Sequence, residues 1–202
     1  ITESAFSDAW FILAAPTHGQ ARRIFWRDLK AMIPRALMTC PPREGPMCIH
    51  LRNGAEITVL GLDAPERIEG RAINGVVLDE YGNMKESVWG EHLRPALSDR
   101  RGWCDFIGVP EGRNHYYDLY RSAQADQTDA WLTFTWTSEE ILPADEIASA
   151  KHDLDPLTYD QEYRASFVSF QGRTYYPFDE SIHCRPLAYD PSVPLIFCFD
   201  FN

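Results

Sequence analysis

Residues 75–84 read GVVLDEYGNM, so that a short apolar run empties directly into two adjacent carboxylates, Asp79 and Glu80. At the end of a buried strand two such acids can divide one task between them. One holds Mg²⁺ through its water shell, and the other polarises a water that attacks a phosphate. Adjacency serves that division because both groups must act within a few ångströms of each other. A polar residue is also an ordinary way to end a strand, and the pair alone does not separate the two readings.

The elements that must position the pair are legible on both sides of it. WFILAAP (10–16) is a short apolar run closed by a proline and reads as a buried strand. THGQARRIFWRDLKAMIP predicts a helix capped by Thr17, with Ala21, Ile24, Phe25, Leu29 and Met32 on its apolar face and Pro34 at its end. MCIHLRNGAEITVLGL (47–62) predicts a hairpin turning at Asn53-Gly54 in a type I′ turn. After the polar loop DAPERIEGRAIN comes the strand GVVLD, then a helix through KESVWGEHLRPALSD, distorted at Gly90 and Pro95. WCDFIGVP (103–110) reads as a strand, GRNHYYDLYRSAQ as a helix and AWLTFTW (130–136) as a further strand.

Strands alternating with helices predict an α/β fold, a mainly parallel sheet between helices, with ligands bound beyond the carboxyl ends of its strands. Asp79, Glu80 and the turn after Val109 all fall at such ends. A strand ending in Asp-Glu there has the Walker B pattern of P-loop ATPases. The turn containing Pro110 and Gly112, before Asn114 caps the next helix, stands where an ATPase senses its γ-phosphate; a plain strand-to-helix turn is the other reading.

The 202 residues are 45% hydrophobic, enough for one sizeable core. No apolar run approaches the roughly 18 residues that span a bilayer, and no signal-peptide pattern opens the chain, so an intracellular protein is expected. The five cysteines are scattered without paired metal spacing and read as reduced thiols. The net charge of −11 argues against simple electrostatic coating of nucleic acid. Most of it lies late: residues 124–202 carry 4 Lys and Arg against 14 Asp and Glu. There PADEIASAKHDL and PLTYDQEYRASFV read as two acidic helices, followed by an aromatic, proline-containing connector. The six histidines show no ligand spacing, and Tyr116, Tyr117 and Tyr120 have the spacing of a packed helix face.

Several blocks in order, APTHGQARRIFWRDL, PERIEGRAINGVVLDEYGNM, WGEHLRPALSDRRGWCDFIGVPEGRNHYYDLY and the terminal FDFN, resemble the large terminase subunit of tailed bacteriophages, the ATP-driven motor that packages viral DNA and cuts it. The resemblance spans nearly the whole chain. It implies a RecA-like P-loop ATPase core over residues 1–140, a helical linker subdomain over 141–193, and the first strand of an RNase H-like nuclease over 194–202. Under it Asp79 holds Mg²⁺, Glu80 is the catalytic glutamate, and Gly108, Val109, Pro110, Glu111 and Gly112 form the segment that couples hydrolysis to DNA movement. Arg67 and Arg71, in the loop before the acidic pair, are the candidates for stabilising transition-state charge. Asp200 corresponds to a nuclease aspartate that binds two divalent ions, Mg²⁺ or Mn²⁺. The implied partners are ATP, double-stranded viral DNA, a portal protein, a small terminase subunit and further copies in a ring on the procapsid, with no membrane. The implied location is the cytoplasm of an infected bacterial host.

Two departures stand beside the resemblance. No GxxxxGK[ST] occurs in the 202 residues, so the phosphate-cradling loop is expected upstream of Ile1. Val109 also occupies a position where many relatives carry a hydroxyl. A helicase-like nucleic-acid ATPase without a nuclease, and a non-catalytic α/β assembly protein, remain the alternative readings.

Overall fold

The run WFILAA forms β1 (Trp10–Ala15), the central strand of a five-stranded sheet. The structure, a computed structural model, describes residues 8–168 and Ser192; residues 8–168 lie within one compact unit, Ile1–Ser169, and 170–202 belong to a second. The other strands are β2 (Cys48–His50), β3 (Glu56–Gly61), β4 (Gly75–Leu78) and β5 (Trp103–Phe106), in the order β2-β3-β1-β4-β5. β1 is parallel to β3 and β4, β4 is parallel to β5, and only β2 runs antiparallel. Parallel strands need both faces covered. One face packs Trp26, Leu29, Ile33, Ile49 and Val59; the other packs Ile68, Ile73, Val88, Leu93 and Leu97.

The helix after β1 starts as expected, with Thr17 Oγ1 accepting the Gln20 N–H at 3.3 Å. Its apolar face differs from the predicted one. Between α1 (His18–Ala21) and α2 (Arg27–Met32) the chain passes through a π-helical stretch, Arg22–Trp26. A π turn adds a residue, so the residue after Ala21 to reach the core is Trp26, five positions on, and Ile33 takes the place expected of Met32. Met32 and Ile24 are exposed, while Phe25 packs from the side.

The hairpin forms between β2 and β3, but its turn is not type I′. Only Gly54 has a positive φ (89°), and its N–H donates to Leu51 O at 3.0 Å. This is the three-residue loop in which a turn is followed by a left-handed glycine. The distortion expected at Gly90 and Pro95 is a second π-helical stretch, Val88–Leu93, which runs without a break into α3 (Arg94–Ser98) with Pro95 just beyond the junction.

The strand expected at 130–136 does not form: the segment pairs with no described strand, and Leu132, Phe134 and Trp136 are exposed. Before it lies α4 (His115–Ala125), and after it α5 (Ala144–Asp153) and α6 (Pro156–Arg164), whose own small core is Ile147, Ala150 and Tyr159. Beyond α6, Phe167 packs against Tyr116, Tyr117 and Tyr120 of α4 at centroid distances of 5.7, 5.3 and 5.3 Å. Among the described residues Cys40, Cys48 and Cys104 are free thiols, and burial pushes the Cys104 thiol strongly up. No helix among them is long and apolar enough to cross a membrane.

Candidate active site

β4 delivers the acidic pair to the carboxyl end of the sheet. The Asp79 N–H donates to Ala14 O at 2.8 Å, so the backbone is still tied to β1 when the first carboxylate emerges. At Glu80 the chain turns abruptly: φ is 55° and ψ 41°, a left-handed conformation costly for a residue with a Cβ. Its N–H donates to Asp79 Oδ1 at 3.1 Å. The turn Tyr81–Asn83 follows, held by the Tyr81 N–H on Ile107 O at 3.0 Å and by the Asn83 N–H on Glu80 O at 3.0 Å. A left-handed residue with a side chain costs roughly 1–3 kcal/mol and persists because the bonds on both sides fix it.

The segment after β5 lies beside the pair. A Cβ on Gly108 would stand 3.6 Å from Glu80 Cα and 3.5 Å from Tyr81 N, which shows how close the two turns run. Pro110 is buried, Val109 and Glu111 are exposed, and Gly112 takes a positive φ of 62°. Asn114 then does two jobs. Its Oδ1 accepts the Tyr116 and Tyr117 N–H groups and so caps α4, while its Nδ2 donates to Gly82 O at 3.2 Å. His115 Nε2 lies 3.1 Å from Tyr81 O. The Tyr81 ring meets Phe106, His115 and Tyr116 edge to face.

Partial burial is the main cause that pushes the Glu80 carboxyl up, reinforced by the charges of Asp79, Glu111 and Glu162 against a hydrogen bond from Asn83. A carboxylate held reluctant to lose its proton is a better proton acceptor once ionised. Asp79 and Glu80 make no three-residue ligand cluster, and none exists among the described residues. Mg²⁺ fits such a site nonetheless, since it keeps most of its waters and takes one or two carboxylates together with substrate phosphates.

The two arginines part company. Arg71 Nη1 pairs with Glu56 Oε2 at 2.7 Å, and its guanidinium lies 4.5 Å from the Trp10 ring centroid. Trp10 and Glu56 begin β1 and β3, so Arg71 is at the opposite end of the sheet from Asp79. Burial pushes the Glu56 carboxyl up, but hydrogen bonds from Arg71 and Thr58 outweigh it and hold the group below its ordinary value. Arg67 is exposed in the short 3₁₀ turn Pro65–Ile68, which follows the carboxyl end of β3. Asp200 lies outside the described residues. The part of Asn114 in tying the turn after Glu80 to the next helix was not readable from the sequence; its capping role was.

No family profile matches the chain. The large terminase subunit of Thermus phage G20c is 25% identical over a 206-residue alignment that covers 86% of this chain and 42% of that protein. The chain therefore spans about two fifths of the length of the curated relative. The solved large terminase ATPase domain of Thermus phage P74-26 superposes with a TM-score of 0.60 at 22% identity, over 80% of this chain and 78% of that one. The large terminase of another thermophilic bacteriophage, solved in complex with ADP, gives a TM-score of 0.67 at 20% identity, over 92% of this chain and 47% of that one. Relatives and neighbours are thus large terminases, in agreement with the resemblance in the sequence blocks, and the fold is the RecA-like α/β fold.

Proposed function

We propose that this relative of the large terminases is most of the ATPase core of a phage DNA-packaging motor, with Asp79 and Glu80 as its hydrolytic carboxylates. The observation that carries the reading is Glu80 itself: a non-glycine residue in the left-handed region, next to a second carboxylate, with its own carboxyl pushed up by burial and neighbouring negative charge. Asp79 would orient the water shell of Mg²⁺, which supplies charge neutralisation for the triphosphate. Glu80 would hold the attacking water and take its proton as the new oxygen–phosphorus bond forms and the bond to the ADP oxygen breaks. The proton then passes to the released phosphate. Arg67 is the arginine we assign to the developing charge, because Arg71 is already engaged at the far end of the sheet. Gly108 to Gly112 would sense the departing phosphate through their closeness to Glu80 and pass the change to α4.

As expected of such a motor, the parent would move double-stranded viral DNA into a procapsid as a ring of copies, working with a portal protein and a small terminase subunit in the host cytoplasm. A following RNase H-like nuclease would use Asp200 to hold one of two divalent ions. Glu80→Gln in the full-length parent should abolish ATP turnover while nucleotide binding persists; undiminished turnover would remove Glu80 from the mechanism. Asp200→Ala should impair metal-dependent DNA cleavage and spare hydrolysis, and normal cutting would refute the nuclease assignment.

A further inference from the structure

β3 and β4 leave the sheet on either side of β1. The Leu62 N–H donates to Ala15 O at 3.0 Å and the Asp79 N–H to Ala14 O at 2.8 Å. The chain after β3 therefore starts at the same end of the sheet as the acidic pair, two strand spacings or about 10 Å away. That chain is the loop carrying Arg67. Pro65 and Ile68 are buried, whereas Arg67 between them is exposed and makes no ion pair among the described residues.

The turn's own backbone holds it weakly. The Arg67 N–H reaches Ala64 O at 3.3 Å and the Glu69 N–H reaches Glu66 O at 3.2 Å, at or past the long end of the ordinary range. Gly70 follows directly with a φ of 83°, and nothing lies within 4 Å of where its Cβ would stand. Two side chains from the segment after Glu80 pin the loop instead. Lys85 Nζ donates to Asp63 O at 3.4 Å, at the loop's entrance. His92 Nδ1 donates to Glu69 Oε1 at 2.8 Å, at its exit.

The second pin is the firmer one. The His92 side chain is 16% exposed and that of Glu69 60%, so packing fixes the imidazole and the imidazole fixes the carboxylate. His92 belongs to the π-helical stretch Val88–Leu93, a departure from the α-helix that recurs at functional sites. Val88 and Leu93 are fully buried and lock that stretch into the same core as Ile68.

We propose that His92, acting through Glu69, is a positioning residue for Arg67 and sets where its guanidinium stands relative to Asp79 and Glu80. The inference rests on the assignment of Arg67 to the charge that develops on the phosphate. Both pins start from the chain just beyond Glu80, so the carboxylates and the cation take their spacing from one segment. Arg67 lies two residues from Glu69, and its own side chain has no described partner to aim it.

Steady-state ATP hydrolysis by the full-length parent tests this as a double-mutant cycle. Glu69→Ala removes an exposed side chain and should fold as wild type does. It should lower kcat roughly fivefold, well within the hundredfold or so that a 1 Å misplacement can cost, and leave KM for ATP within about twofold. In an Arg67→Ala background the same change should do nothing further, because no guanidinium is left to place. His92→Phe keeps a ring and loses the donor, and should match Glu69→Ala in both backgrounds. His92→Asn, with an N–H near the place of Nδ1, should recover most of the rate.

An equal loss of turnover in the Arg67→Ala and wild-type backgrounds would mark a bond that serves the fold alone, and overturns the proposal. So does a wild-type kcat for Glu69→Ala, with or without a raised KM, or a His92→Asn protein as slow as His92→Phe. Those outcomes sink this inference alone. Wild-type turnover by Arg67→Ala itself would sink the assignment of Arg67, and this inference with it.

Discussion

The N–H of Glu80 donates to Oδ1 of Asp79 at 3.1 Å, so the first carboxylate of the pair fixes the backbone of the second. The bond helps hold Glu80 at a φ of 55°. Oδ2 of Asp79 takes no part in that contact, and under the proposed function it is the oxygen left to orient a hydrated cation.

Relief of that strain should separate stability from activity. Glu80→Gly fits the left-handed backbone without a Cβ penalty, partly offset by the greater freedom of glycine in the unfolded chain, and should stabilise the fold by up to about 1 kcal/mol. ATP turnover in the full-length parent should be lost at the same time. Denaturant titration reads the first effect, and a lower midpoint than wild type would show that the conformation is not strained.

The raised pKa of Glu80 has a definite sign in pH-dependent stability. The folded protein binds this proton more tightly than the unfolded chain does, so ionising Glu80 costs stability as pH rises through its ordinary value of 4.5 and then its folded value. The cost is full above the folded value and absent below the ordinary one. Glu80→Gln should therefore melt higher than wild type at neutral pH, with the gap closing on acidification. A gap that widens in acid would contradict the burial and charge effects described at this site.

Arg67 and Arg71 should respond differently to removal. Arg71→Ala loses the pair with Glu56 and the stack on Trp10, which should cost about 1 kcal/mol, and turnover should change little. Arg67→Ala should leave stability nearly unchanged but lower turnover by tenfold or more in the full-length parent. Reversed outcomes would reassign the charge-stabilising role.

Gly61 ends β3 against the start of α1, the helix that follows β1. A Cβ there would lie 2.0 Å from His18 N and 2.4 Å from Thr17 C, both backbone atoms that cannot rotate aside. Gly61→Ala should destabilise by about 3 kcal/mol, at the upper end of overpacking costs. Thermal melting checks it, and a change under about 0.5 kcal/mol, the size of an ordinary surface effect, would mean that the helix start moves freely.

Asn114→Ala removes the cap of α4 and the bond to Gly82 O together. A loss of about 2 kcal/mol is expected, near the upper end for a cap. Asn114→Asp keeps an acceptor for the cap but no donor to Gly82 O, and should recover most of that stability while still slowing turnover.

What the sequence made legible follows from local patterning. Strand-helix alternation, the Thr17 and Asn114 caps and the exit of Asp79 from a strand are all written within a few residues. The π stretch at Arg22–Trp26 was not legible, because periodicity assumes 3.6 residues per turn and the extra residue is fixed by packing Trp26 under the sheet. Trp26 also donates its ring N–H to Glu44 Oε2 at 2.6 Å, a partner eighteen residues away. The strand expected at 130–136 does not form: no described strand pairs with the segment, and a local apolar pattern cannot supply a partner. Arg71 looked like a site residue because it precedes the acidic pair in sequence; a strand length separates them in space.

Phe167, clasped by Tyr116, Tyr117 and Tyr120, makes the chain just beyond α6 a rider on α4. That helix is an eleven-residue rod about 16 Å long, and Asn114 and His115 fasten its first turn to the carbonyls of Gly82 and Tyr81. The turn after Glu80 and residue 167, beyond α6, therefore rest on one helix and are joined through α4 rather than through the sheet.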